Sequence, residues 1–69
     1  MNREVIAEYV SSDNRLKAEI IKYRYEFRDD LQINFYENGK MIAAETYKDH
    51  SLRYYEDAAE NYINGIKKV

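Results

Sequence analysis

Between Leu31 and Tyr47 apolar and polar residues alternate in two runs, Leu-Gln-Ile-Asn-Phe-Tyr-Glu and Lys-Met-Ile-Ala-Ala-Glu-Thr-Tyr, separated by Asn38-Gly39. Alternation with a period of two is the mark of a strand with one face buried, and Asn-Gly is the pair best suited to the positive φ angles of a two-residue type I′ turn. The turn sets an expected register: Glu37 opposite Lys40, Tyr36 opposite Met41, Phe35 opposite Ile42, Ile33 opposite Ala44, Leu31 opposite Thr46. One face of this hairpin then carries Leu31, Ile33, Phe35, Ile42, Ala44 and Thr46, and the other Gln32, Asn34, Tyr36, Met41, Ala43, Glu45 and Tyr47.

Upstream, Ile21, Tyr23, Tyr25 and Phe27 alternate with Lys22, Arg24 and Glu26, which predicts another half-buried strand. A three-residue Arg28-Asp29-Asp30 loop would set Phe27 opposite Leu31, Tyr25 opposite Ile33 and Tyr23 opposite Phe35, with Asp30 in the left-handed region. The apolar parity changes between Ile20 and Ile21, so a β-bulge is expected there. Residues 4 to 10 read either as a helix turn, with Val5, Ile6 and Tyr9 on one face, or as a strand. If Val10 pairs with Arg15 across the Ser11-Ser12-Asp13-Asn14 turn, Tyr9, Ala7 and Val5 join Leu16, Ala18 and Ile20 on one face, which favours the strand.

After Tyr47 the period lengthens. Leu52, Tyr55, Ala59, Tyr62 and Ile66 recur at spacings of three and four, with Ala58 and Ile63 beside them. This predicts a helix from about Ser51 to Asn64 or beyond. Ser51 and Asp49 compete for the N-cap, Lys67-Lys68 lie toward its end, and Gly65 is a C-cap or an interior glycine. The expected fold is α+β, an antiparallel meander of three or four strands in sequential order with one C-terminal helix packed on one face, because neither layer hides its apolar stripe alone. Phe35 belongs to the core.

Composition changes this picture little and bounds it. Sixty-nine residues make one domain with a modest core, and the absence of cysteine removes disulfides and thiolate metal sites. A net charge of −2 with mixed signs along the chain argues against a dedicated nucleic-acid binder. The start, Met-Asn-Arg-Glu-Val-Ile-Ala-Glu, has acids where a secretory signal carries an apolar stretch, and a cytoplasmic location is expected.

Candidate chemistry is sparse. His50 is the only histidine and lies in the loop before the helix, without a second histidine or cysteine to share a metal or a proton. Asp29-Asp30 reads as turn chemistry rather than a calcium loop. No phosphate-binding glycine loop or nucleophile elbow occurs. The expectation is a protein without enzymatic activity, metal or cofactor.

Surfaces offer more. The uncovered sheet face is expected to present Tyr36, Met41 and Tyr47 with Arg24 and Asn34 beside them, residue types that anchor protein interfaces. Its uses would be self-association into a homodimer or capture of a partner protein. With Lys22 and Arg24 among the tyrosines, the same face would alternatively stack bases, similar to integrase arm-binding domains. A rival surface is the acidic helix face of Glu56, Asp57 and Glu60, suited to a basic partner.

The stretch from Asp49-His50-Ser51 through Tyr55-Glu56-Asp57-Ala58-Ala59-Glu60-Asn61-Tyr62 to Gly65-Ile66 resembles the tail of small accessory proteins of T4-like phages, in which a short meander precedes a helix. Phe35-Tyr36-Glu37-Asn38-Gly39 is similar to a hairpin in a type I-F anti-CRISPR. The resemblance implies a small accessory protein or inhibitor that binds a host protein, with no catalytic motif.

Overall fold

The computed structural model describes residues 2–69. Four strands, β1 (Asn2–Val10), β2 (Leu16–Arg24), β3 (Asp29–Glu37) and β4 (Lys40–Glu45), form one antiparallel sheet in the order β1-β2-β3-β4, and a single helix, α1 (Leu52–Ile63), packs on one face. The α+β meander expected from the apolar pattern is the fold observed. Residues 4 to 10 are strand.

The middle of the sheet is regular. Strands β2 and β3 pair without a shift, from Leu16 opposite Glu37 to Arg24 opposite Asp29, and so place Ala18 against Phe35 and Ile20 against Ile33. This differs by five residues from the register expected of a three-residue loop. The connection is instead Tyr25–Arg28, closed by the Tyr25 N–H donating to the Arg28 carbonyl at 2.8 Å. An odd shift exchanges the expected faces of β2 from Ile21 onward. Leu16, Ala18 and Ile20 keep the core face expected of them, whereas Ile21 and Tyr23 turn outward and Phe27 is left 91% exposed in the loop. No bulge occurs between Ile20 and Ile21, and Asp30 is an ordinary strand residue opposite Tyr23.

Both outer pairings carry a shift. In β1, Val5 lies opposite Ile21 and Ala7 opposite Ile20, so Ile6 is the extra residue. In β4, Met41 lies opposite Tyr36 but Ala43 opposite Phe35, so Ile42 is extra. The Asn38-Gly39 turn itself forms as its sequence requires, with φ of +53° and +82°. The first two pairs after it match expectation, and the bulge then reverses every later position of β4. Ala43 and Glu45 come to the helix side, and Ile42 does not meet Phe35.

The core lies between α1 and the strands β1 to β3. Tyr55, Ala58, Ala59 and Tyr62 are buried against Leu16, Ala18, Ile20, Ile33 and Phe35. The two alanines let the helix backbone come close to the sheet. The two tyrosines, seven residues or about two turns apart, fasten it to β3. Tyr62 meets Phe35 edge-on at 4.8 Å, and its hydroxyl donates to the Tyr36 carbonyl at 2.8 Å. The Tyr55 hydroxyl accepts from the Tyr47 N–H at 2.8 Å and donates toward the carbonyls of Leu31 and Tyr47 at 3.1 and 3.2 Å.

Ser51 occupies the N-cap position, but its side chain makes no capping bond, and Asp49 takes a left-handed turn conformation at φ +64°. The helix stops at Ile63. Gly65, at φ +79°, follows the C-cap Asn64 and closes the helix: its N–H donates to the Tyr62 carbonyl and that of Ile66 to the Asn61 carbonyl, the two bonds of a Schellman ending. Lys67 and Lys68 thus lie beyond the helix. Among the described residues no helix is long and apolar enough to cross a membrane.

Candidate binding surface

Register alone assigns the outer sheet face, which no element covers. Its cross-strand rows are Val10–Lys17–Tyr36–Met41, then Glu8–Glu19–Asn34–Ala44, then Val5–Ile21–Gln32, and last Arg3–Tyr23–Asp30. The first row crosses all four strands. Val10 and Met41 at its ends are 47% and 52% exposed. Between them Tyr36 is half-buried, with the Lys17 ammonium 4.8 Å from its ring centre and its hydroxyl donating to a Glu19 oxygen at 2.8 Å. That bond to a carboxylate, followed by partial burial, raises the Tyr36 phenol above its ordinary pKa. The ring is fixed in place before any partner arrives.

In the second and third rows several polar side chains pair across the outer face. Lys17 also reaches Glu8 and Glu19 at 3.6 and 3.8 Å, and Gln32 donates to Asn34 at 2.8 Å. In the same rows Ile21 is wholly buried and Asn34 is only 4% exposed. The outer face therefore has a small apolar centre of its own, separate from the core under the helix.

Five residues were expected to work together on this face, and the structure keeps three of them there. Tyr36, Met41 and Asn34 share it, although Asn34 is buried and its side chain already accepts from Gln32. Tyr47 does not. Downstream of the bulge at Ile42 it lies on the helix side, its ring 4.9 Å from Tyr55 and 5.0 Å from Tyr54, with its hydroxyl donating to Glu45 at 2.6 Å. Burial and then that bond push its phenol far above the ordinary tyrosine value. Arg24 is displaced as well, because the shifted β2–β3 register gives it, like Lys22, the parity of Ile20. Arg24 pairs with Glu4 at 3.3 Å and Lys22 with Asp29 at 3.4 Å. Lys22 and Arg24 are thus on the opposite side of the sheet from Tyr36 and Met41.

Val10 and Lys17 are the members of the row that sequence reasoning missed. Val10 follows from the expected parity of β1, but the pairing assumed for it was Arg15, whereas the loop is longer and its partner is Lys17.

The acidic residues of α1 flank β1. Arg53 holds Asp57 at 3.1 Å, while Glu56 and Glu60 stand near Tyr9, whose phenol is raised first by burial and then by these carboxylates. His50 stacks on Tyr54 at 4.0 Å and borders an open cleft of about 730 Å³, which also touches Arg28, Asp30, Lys48 and Asp49. Charges of both signs line it, and the described residues contain no group of three or more histidine and carboxylate side chains placed to hold a metal ion.

No family model, curated protein or solved structure matches this chain.

Proposed function

We propose that the chain is a small non-catalytic protein-binding module that acts in the cytoplasm on a host or cognate protein, as an accessory protein or inhibitor of the kind the phage resemblance implies. The observation that supports this reading is the row Val10–Lys17–Tyr36–Met41. Exposed apolar ends flank an aromatic ring already immobilised by Glu19 and Lys17, so little side-chain freedom is left to lose on binding. Aromatic anchors of this sort dominate interface energetics. The nucleic-acid reading draws no support from this geometry, since Lys17 beside Tyr36 is paired with Glu8 and Glu19, and Arg24 and Lys22 face the other way.

The experiment is affinity capture from a host lysate with three forms of the protein: wild type, Tyr36→Ala with Met41→Ala, and Glu56→Lys with Glu60→Lys. A specific partner should be retained by the charge-reversed helix variant and lost by the sheet variant, whose anchors are worth about 2 kcal/mol or more each. Loss only with the helix variant, with both forms folded, moves the working surface to the acidic face. Micromolar binding to mixed DNA or RNA that falls steeply with salt would replace the protein-binding reading altogether.

A further inference from the structure

The two edges of the sheet differ. Strand β4 is six residues long, and Lys67, beyond the helix, reaches its last residue Glu45 at 3.3 Å. Strand β1 is nine residues long, pairs only with β2, and none of its residues is buried; Val5 and Ile6 stand exposed at its centre. A long, exposed, partly apolar edge is a template for another strand. Charges and bulges commonly blunt such edges, so their positions on β1 decide whether it is closed or complementary.

Their positions are complementary to a second β1. Counted in rungs of the β1–β2 ladder, Val5 lies at rung Ile21, Glu4 and Ala7 one rung to either side, Arg3 and Glu8 two, Asn2 and Tyr9 three. Because Ile6 is the extra residue, positions equally far from Val5 point to the same side of the sheet: Arg3 and Glu8 outward, Glu4 and Ala7 toward the helix. A two-fold axis perpendicular to the sheet at Val5 preserves faces and reverses strand direction. It sets Arg3 opposite Glu8 of the second copy, Glu8 opposite its Arg3, and Val5 against its own counterpart on the axis, with the two Ile6 residues flanking it on either side. Among the described residues Arg3 has no ion pair, and Glu8 is held only by Lys17 at 3.6 Å. Glu4 keeps Arg24.

We propose that β1 is a homodimerisation edge, pairing antiparallel with β1 of a second copy about this axis to join the two four-stranded sheets into one. A C₂ interface requires a self-complementary patch, and the Arg3–Glu8 spacing about the bulge supplies it. The proposal goes beyond the binding-module reading and does not use the Tyr36–Met41 row, which stays open on the outer face of both copies.

Sedimentation velocity over a range of concentrations tests it. Wild type should rise from the mass of one chain, 8.3 kDa, toward that of two. Ile6→Lys places an ammonium group on each side of the axis at the centre of the paired strands and should leave a monomer throughout. Arg3→Glu faces carboxylate with carboxylate at both symmetric positions and should weaken the dimer about tenfold, while Arg3→Glu combined with Glu8→Arg restores opposite charges and should recover most of the loss. Both charge positions are exposed, so these variants report even if Ile6→Lys does not fold. A wild-type monomer up to about 1 mM, a dimer indifferent to Ile6→Lys, or an exchange that fails to restore association would each overturn the proposal. Tyr36→Ala with Met41→Ala should lose the captured partner and keep the dimer, so failure of one reading is distinct from failure of the other.

Discussion

The two faces of this sheet are built by different means. Under the helix, burial is apolar: Leu16, Ala18, Ile20, Ile33 and Phe35 meet Tyr55, Ala58, Ala59 and Tyr62, and the hydroxyls of the two tyrosines bond backbone groups. On the outer face burial comes from polar side chains lying flat. Lys17 pairs with Glu19, Tyr36 donates to Glu19 and Gln32 donates to Asn34, and Ile21 on the same face is wholly buried. A one-helix domain of this size cannot cover both sides of its sheet. The uncovered side is tolerable because charged and amide side chains bury their stems over the apolar surface while their heads stay bonded or wet.

The largest expected effect falls on the helix side. Phe35→Ala removes a wholly buried ring that contacts Tyr62 edge-on, and should cost about 3–5 kcal/mol, enough to leave little folded protein at room temperature. Chemical denaturation monitored by circular dichroism checks this. A midpoint close to wild type would mean that Phe35 is not the centre of the core.

Ile21→Ala asks whether the outer face has a true centre. Ile21 is as fully buried as Phe35, yet belongs to no part of the cluster under the helix. Mobile polar side chains can settle into the space it leaves, so the cost should fall toward the low end of the roughly 2–5 kcal/mol seen for truncating buried isoleucine. A loss under about 0.5 kcal/mol, as for an ordinary surface site, would show the polar layer to be loose in solution.

Much of the helix-side architecture was legible in the sequence, and the reasons are local. Asn38-Gly39 tolerates a conformation few other pairs do, and Tyr55, Ala59 and Tyr62 repeat at a period only a helix satisfies. The faces of the edge strands were not legible. Val5-Ile6-Ala7 and Met41-Ile42-Ala43 are runs of consecutive apolar residues, in which alternation says nothing about parity, and both bulges fall inside them. One inserted residue there moved Tyr47 from the surface expected of it to the core. Ile20-Ile21 is a third such run: both residues are buried, one on each face, so the pattern was compatible with either register, and the longer Tyr25–Arg28 turn decided it. Of the candidate surface, Tyr36 and Met41 were legible because they sit beside the turn, ahead of the bulge.

Alkaline pH should separate the faces through their tyrosines. The phenols of Tyr9, Tyr47 and Tyr62 on the helix side, and of Tyr36 outside, all lie above the ordinary value of 10.0 in the folded chain. A phenol raised on folding keeps its proton better folded than unfolded. Its contribution is complete below pH 10.0 and is lost as pH climbs through the raised values. Thermal midpoints should therefore hold steady to about pH 9 and fall by about pH 11. Tyr47, the most strongly raised, should account for the largest share, so Tyr47→Phe should flatten the alkaline fall more than Tyr36→Phe. Equal slopes in the two variants would show that Tyr47 is not buried against Glu45 as described.

The same substitution on the two faces gives the finest comparison. Tyr55→Phe keeps the ring and deletes a hydroxyl that accepts from the Tyr47 N–H and donates toward the Leu31 and Tyr47 carbonyls. These backbone groups lie at the joint between β4 and the helix, where water is a poor substitute, so the loss should be about 1–3 kcal/mol. Tyr36→Phe deletes a hydroxyl whose partner, Glu19, still has Lys17 at 3.8 Å and solvent beside it. Its cost should stay below about 1 kcal/mol. The ring of Tyr36 still lies under the Lys17 ammonium in that variant, so a partner that docks on the ring should survive Tyr36→Phe and be lost with Tyr36→Ala. Denaturant midpoints for Tyr55→Phe and Tyr36→Phe, measured beside partner capture, check both halves. A larger stability loss from Tyr36→Phe than from Tyr55→Phe would mean that the outer polar layer, and not the helix contact, is the more rigid half of the molecule.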